Sequence, residues 1–142
     1  MNQDQEPVQT VASTLTMPRE VRVVHERSDS IELPIIDGAG TAQALVWPGM
    51  GAHLRSMHRV SLHPGGRTVL LRHPMEAVYY VIAGSAHVED LDDGTEHFIG
   101  EGAMFLIDPG TSYRISSGTS GAEVVGGPCP ADPQLYRDLE TD

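Results

Sequence analysis

The stretch Leu62–Gly84, L-H-P-G-G-R-T-V-L-L-R-H-P-M-E-A-V-Y-Y-V-I-A-G, decides how the whole chain reads. A Pro-Gly-Gly turn opens it, His73-Pro74-Met75 interrupts it and Gly84 closes it, so it reads as two β-strands forming a hairpin. Strand side chains alternate between faces. Val69, Leu71 and His73 therefore share one row, and Ala77, Tyr79 and Val81 another. The opposite row, Glu76, Val78, Tyr80 and Ile82, is almost as apolar. A strand with two apolar faces is covered twice, here by the core and by a second sheet or another subunit.

Outward from this segment the same texture continues. Short β-prone runs are separated by turn residues, with 15 Gly and 10 Pro in 142 residues, which is the pattern of an all-β sandwich or barrel. The length suits one domain. Residues 1–19 are polar and aperiodic and read as a flexible N-terminal arm, leaving 20–142 as a single domain. Runs at Val21–Val24, Ile31–Ile36, Gln43–Trp47, His53–His63, Ala86–Glu89, Thr95–Ile99, Ala103–Ile107, Ser112–Ser116 and Ala122–Val125 bring the expected total to ten or eleven strands. Asp132 as N-cap and Pro133 at the first helical position predict one short C-terminal helix.

Charge and composition exclude several functions. A net charge of −11, with nine Arg among twenty acids, argues against nucleic acid and anionic membranes as partners. No apolar run approaches the roughly 18 residues that span a bilayer, and the lone Cys129 cannot form an internal disulfide, so a cytoplasmic location is expected. The chain contains no lysine, which removes Schiff-base and P-loop chemistry.

Seven histidines remain as candidate chemistry. Alternation in His53–His63 puts Leu54, Ser56, His58, Val60 and Leu62 on the inner row and His53 and His63 outside. His97 shares a row with Ile99 and is expected to face inward, whereas His87, between Ala86 and Val88, faces out. His73 sits on the inner row of the central segment.

The glycine frame of the chain resembles the cupin superfamily of small jelly-roll barrels. The first cupin motif is matched in spacing by Gly65, Leu71-Arg72-His73, Ala77 and Gly84, and the second by Gly102, Asp108-Pro109-Gly110, Tyr113 and Ser117. The resemblance, over about residues 46–126, implies a cupin-type jelly-roll β-barrel and commonly a homodimer, with the edge near Glu20–Ile36 as its seam. Of the four ligand positions it implies, only His73 keeps its residue; Leu71, Ala77 and Tyr113 stand at the others. E-A-V-Y-Y-V-I-A-G is also similar to the ectoine synthase branch, whose tyrosine ligand position matches His97 here, while its glutamate falls on Ala77 beside the out-of-register Glu76.

Three functions follow as expectations. The first is a small-molecule enzyme of non-redox chemistry, an isomerase, cyclase or dehydratase, in which His73, His97 or His58 moves a proton and Tyr113 hydrogen-bonds an oxyanion, with no cofactor. The second is a metal-dependent oxygenase or Lewis-acid enzyme that holds Fe, Mn, Ni or Zn through His58, His73 and His97. The third is a non-catalytic cupin that binds a small organic molecule in a largely apolar pocket.

Overall fold

A computed structural model of the chain describes residues 19–140. Its strands are β1 (Ile31–Glu32), β2 (Ile36–Asp37), β3 (Gly40–Val46), β4 (Met57–Leu62), β5 (Arg67–Thr68), β6 (Ala77–Asp90), β7 (Glu96–Gly100), β8 (Met104–Ile107) and β9 (Tyr113–Pro128). They form one antiparallel sheet in the order β1-β3-β4-β9-β5-β2, with β6 joining β9 to β7 and β8. The sheet curls around a single core, the cupin-type jelly-roll arrangement expected. A 3-10 turn, Pro133–Tyr136, leads into the single helical turn α1 (Arg137–Glu140). Among the described residues no helix is long and apolar enough to cross a membrane. The arm expected over residues 1–19 lies, apart from Arg19, outside the described residues.

Nine strands stand where ten or eleven were expected because four runs fuse into two. The runs before and after Gly84 are one strand, β6, and those before and after Gly121 are one strand, β9. These two long strands pair over almost their whole length, with register shifts between Val81 and Ala83 and between Gly84 and Ala86. Such bulges bend a strand without ending it. At the bend Gly84 has φ of +77°, and a Cβ there would lie 2.2 Å from the carbonyl oxygen of Gly121. Only glycine lets the two strands approach this closely.

Two further differences are local. Val21–Val24 forms no strand; Val21 and Val23 are 92% and 86% exposed, so β-propensity there has no partner to act through. The run from His53 becomes a strand only at Met57, so Leu54, expected on the inner row, lies ahead of the strand and is 72% exposed. From Ser56 onward the alternation holds, and Ser56, His58, Val60 and Leu62 are buried.

The central segment is not a hairpin. β5 pairs with β2 and β9, and β6 pairs with β7, β8 and β9. The start of β9 lies between the two arms: Tyr113 exchanges both backbone hydrogen bonds with Leu71 at 2.8 Å and faces Asp90 of β6 on its other edge. Pro74, which has no N–H to donate, helps to keep the arms apart. The inner rows nevertheless fall as the alternation requires, with Leu71, His73, Ala77, Tyr79 and Val81 all buried. The outer row stays open: Val78, Tyr80 and Ile82 are about 40% exposed, next to Met104 and Leu106 of β8.

Candidate active site

His73 lies between Leu71 and the start of β6, and its position is set by the turn that joins β8 to β9. In that turn Gly110, at φ +84°, donates its N–H to the His73 carbonyl oxygen at 2.7 Å. The imidazole is thereby held in the barrel interior, 2% exposed. Burial of this kind demands partners for both ring nitrogens. Nδ1 meets Asp132 Oδ2 at 2.7 Å, and Nε2 meets the Tyr113 hydroxyl at 2.7 Å. The Tyr113 hydroxyl also meets that of Tyr79 at 2.8 Å.

The direction of this chain follows from its ends. Asp132 accepts the Gln134 N–H through Oδ1 at 3.1 Å as the cap of the terminal turn, and a carboxylate is an acceptor only. His73 therefore donates from Nδ1 to Asp132 and accepts at Nε2 from Tyr113, which in turn accepts from Tyr79. Burial, then the neighbouring Tyr79 and Asp132, holds the Tyr113 phenol far above the ordinary tyrosine value. Tyr79 is pushed up by burial to about 12. Both rings stay protonated at neutral pH, so Tyr113 is a hydrogen-bond donor and not a phenolate.

A second buried pair lies beside the first. His58 Nε2 meets the Tyr136 hydroxyl at 2.5 Å, with the rings edge to face at a centroid distance of 5.7 Å, and the Trp47 and Tyr136 ring centroids are 5.1 Å apart. Burial, and secondarily the nearby His73, lowers His58 from 6.5 to about 4. Neutral His58 accepts the Tyr136 proton. Both interior histidines are thus partnered by the C-terminal segment. Sequence reasoning read Asp132 only as a helix cap and gave Tyr136 no role. The signal for Asp132 was its second carboxylate oxygen, which a cap leaves free; for Tyr136 no local signal existed.

His97 stands elsewhere. It is opposite Val88 in the β6–β7 pairing and shares the face of that core residue, but β7 is an edge strand paired with β6 alone, and the His97 side chain is exposed. It borders an open groove of about 480 Å³ whose wall includes Val88, Ile99, Phe105 and Ile107 and whose floor reaches Tyr113. Phe105 stacks on Tyr79 at 5.2 Å. The structure therefore brings His97 and Tyr113 to one groove, with His73 behind Tyr113 and His58 outside it. Glu76 is exposed at the start of β6.

The residues at the cupin ligand positions do not fit a metal. All four face the interior, but Leu71 and Ala77 offer no donor, Tyr113 is held as a neutral phenol and both nitrogens of His73 are engaged. The substituted set of His58, His73 and His97 also fails: among the described residues, no interior group of three His, Cys, Asp or Glu brings its donor atoms within 4.8 Å of one another. His97 has the right facing but is exposed on the edge strand β7, and His58 is turned to Tyr136.

Comparison with known proteins agrees with the architecture. A family model described as "Cupin domain" matches residues 58–125. The fold is similar to that of the polyketide cyclase RemF from Streptomyces resistomycificus, at 21% identity and a TM-score of 0.66 over 80% of this chain and 82% of that one. KdgF from Halomonas sp. aligns at 14% identity and a TM-score of 0.63 over 82% and 99%, and an RmlC-like cupin from Shewanella frigidimarina at 19% and 0.61 over 78% and 93%. No curated protein sequence matches the chain.

Proposed function

Since the chain belongs to the cupin superfamily, we propose that it is a small-molecule enzyme of non-redox chemistry, an isomerase, cyclase or dehydratase that works by acid–base catalysis. The observation that carries this reading is the hydrogen-bonded run from Asp132 through His73 to Tyr113, ending at the floor of a groove that mixes apolar walls with the polar residues Glu89, Asp90 and Asp108 and has His97 on its rim. A flat organic molecule carrying a carbonyl group fits such a lining. His97 takes a proton from the carbon next to the carbonyl, and the Tyr113 O–H turns from His73 Nε2 to the enolate oxygen that forms. Return of that proton to another carbon gives isomerisation; attack of the enolate carbon on a second carbonyl carbon of the same molecule, with the proton passing to the alkoxide oxygen so formed, gives ring closure; and its transfer to a departing hydroxyl gives dehydration. The relation to RemF, a polyketide cyclase, supports this choice of substrate class.

A second reading, a non-catalytic ligand-binding cupin, is favoured by one observation: Tyr113 is fully closed to solvent. The two are separated by incubating the protein in deuterated buffer with a panel of aromatic 1,3-dicarbonyl compounds and following both melting temperature and deuterium at carbon. Deuterium uptake that is lost in Tyr113→Phe and His97→Ala supports the enzyme. Stabilisation without uptake supports binding alone. Neither effect removes the groove as the site.

The open β6–β8 face leads us to propose a homodimer as well. Its apolar outer row lacks the cover that two-faced apolarity calls for, and a second copy supplies it. The seam we propose is Val78, Tyr80, Met104 and Leu106, an alternative to the Glu20–Ile36 edge that the family resemblance implies. The cytoplasm remains the compartment that best fits an exposed, unpaired Cys129.

A further inference from the structure

We infer that His87, Glu89 and Glu96 form a divalent-metal site on the outer face of the β6–β7 hairpin, suited to a borderline ion such as zinc. Glu89 also borders the groove, but Val88 turns to the core, so the side chains of its chain neighbours His87 and Glu89 project from the other side of the same strand. Register builds the cluster. Glu89 stands directly opposite Glu96, and His87 lies two pairs further along, on the same face and opposite Phe98. One donor atom from each of the three falls within 4.8 Å of the other two.

Three features separate this cluster from an ordinary polar surface. Like charges directly opposed across an antiparallel pair are unfavourable, and the two carboxylates have one nearby arginine, Arg114, whose guanidinium reaches Glu89 only at 3.7 Å. The Nε of that arginine is itself buried without a partner. His87 Nε2 is also buried with no hydrogen bond; Glu96 Oε1 is 3.2 Å away, close enough for an ion pair but outside hydrogen-bond geometry. The imidazole cannot easily turn elsewhere, because it lies flat on Phe98 with centroids 4.6 Å apart and planes 6° from parallel. A donor nitrogen is thus fixed, desolvated and aimed toward two carboxylates that lack sufficient positive charge.

A metal ion answers all three features. Tetrahedral zinc takes His nitrogen and carboxylate oxygen at about 2.0–2.2 Å, which sets neighbouring donors roughly 3.4 Å apart. The His87–Glu96 separation already meets this, and Glu89 completes a facial set of one nitrogen and two oxygens with a position left for water. Imidazole favours zinc, nickel and copper over magnesium or calcium. Bound there, the ion ties together the two strands whose inner faces, through Val88, His97 and Ile99, wall the groove.

The test is titration of zinc chloride into the full-length, tag-free chain by calorimetry. One equivalent should bind, with affinity falling at least tenfold in His87→Gln and in Glu96→Gln, since losing a ligand costs no less than losing its outer support; magnesium chloride should give no such binding. Cobalt(II) should show the visible absorption of a four- or five-coordinate site in the wild type and lose it in both variants. Should His87→Gln fail to unfold cooperatively, Glu89→Gln replaces it as the second variant. Absence of a one-equivalent phase, or a phase of equal strength in the variants, overturns the proposal.

Discussion

His73 and Asp132, 59 residues apart in the chain, meet at 2.7 Å with each side chain only 2% exposed. This contact fastens the C-terminal segment to the barrel interior, and it orients the imidazole so that Nε2 faces Tyr113. A buried histidine–carboxylate pair of this kind fixes the tautomer of the ring.

Asp132→Asn should therefore separate cap from orienter. Asparagine caps as well as aspartate, so the turn at Pro133–Tyr136 should persist and the protein should still unfold cooperatively. It no longer supplies a charged acceptor for Nδ1–H. On the proposed acid–base reading, turnover falls about 10²–10⁴-fold while KM changes little. Nitrogen NMR of the His73 ring should show the Nδ1–H tautomer in the wild type and a mixture in the variant.

Tyr113→Phe removes one hydroxyl and strands two partners. His73 Nε2 and the Tyr79 hydroxyl both lose a bond in a site closed to water, and a buried orphan costs about 1–3 kcal/mol. The urea unfolding free energy should drop by roughly 2–4 kcal/mol without a change in slope. The double variant Tyr79→Phe/Tyr113→Phe should cost less than the sum of the single changes.

Acid should unfold the protein through His58. Its folded value of about 4 lies below the ordinary 6.5 because of burial, so between these values the unfolded chain binds more protons and stability rises with pH. The contribution is fully present above pH 6.5 and is lost as pH falls to about 4, amounting to roughly 3 kcal/mol. Urea midpoints measured from pH 7 to 4 should fall more steeply in the wild type than in His58→Asn.

Tyr136→Ala should act as a core deletion despite lying six residues from the end of the sequence. The ring is fully buried, packs on Trp47 and bonds His58. Losing such an aromatic typically costs about 3–5 kcal/mol. Tyr136→Phe keeps the packing and should cost only the hydrogen bond, about 1–3 kcal/mol.

Tyr80→Asp tests the proposed dimer. Tyr80 is 40% exposed in the middle of the apolar β6–β8 face, where an interfacial carboxylate would be buried without a partner. Sedimentation should show a dimer in the wild type and a monomer in the variant, with the β-rich circular dichroism spectrum retained. A wild type that sediments as a monomer refutes the interface.

Much of this architecture was legible in one dimension. Period-two alternation depends only on neighbouring residues, so the inner rows Ser56–Leu62 and Ala77–Val81 could be read directly, as could the cap at Asp132. Strand pairing could not. Leu71 and Ala77 look like two arms of one hairpin until β9 intervenes. His97 has the facing that its row implies, yet alternation reports which side a residue takes, not whether the sheet covers it there.

The sequence by itself therefore determined the cupin barrel, through its glycine frame and apolar alternation, and removed the ordinary metal ligands by placing Leu71 and Ala77 at their positions. What only the tertiary structure decided is the partner of each remaining polar group. Asp132 reaches His73, Tyr136 reaches His58, and His87 meets Glu96 on the outer face, across separations of 59, 78 and nine residues. The physical reason is that burial and hydrogen bonding belong to the closed sheet: a side chain's need for a partner is local, but the residue that meets it is chosen by which strands and turns the fold brings together.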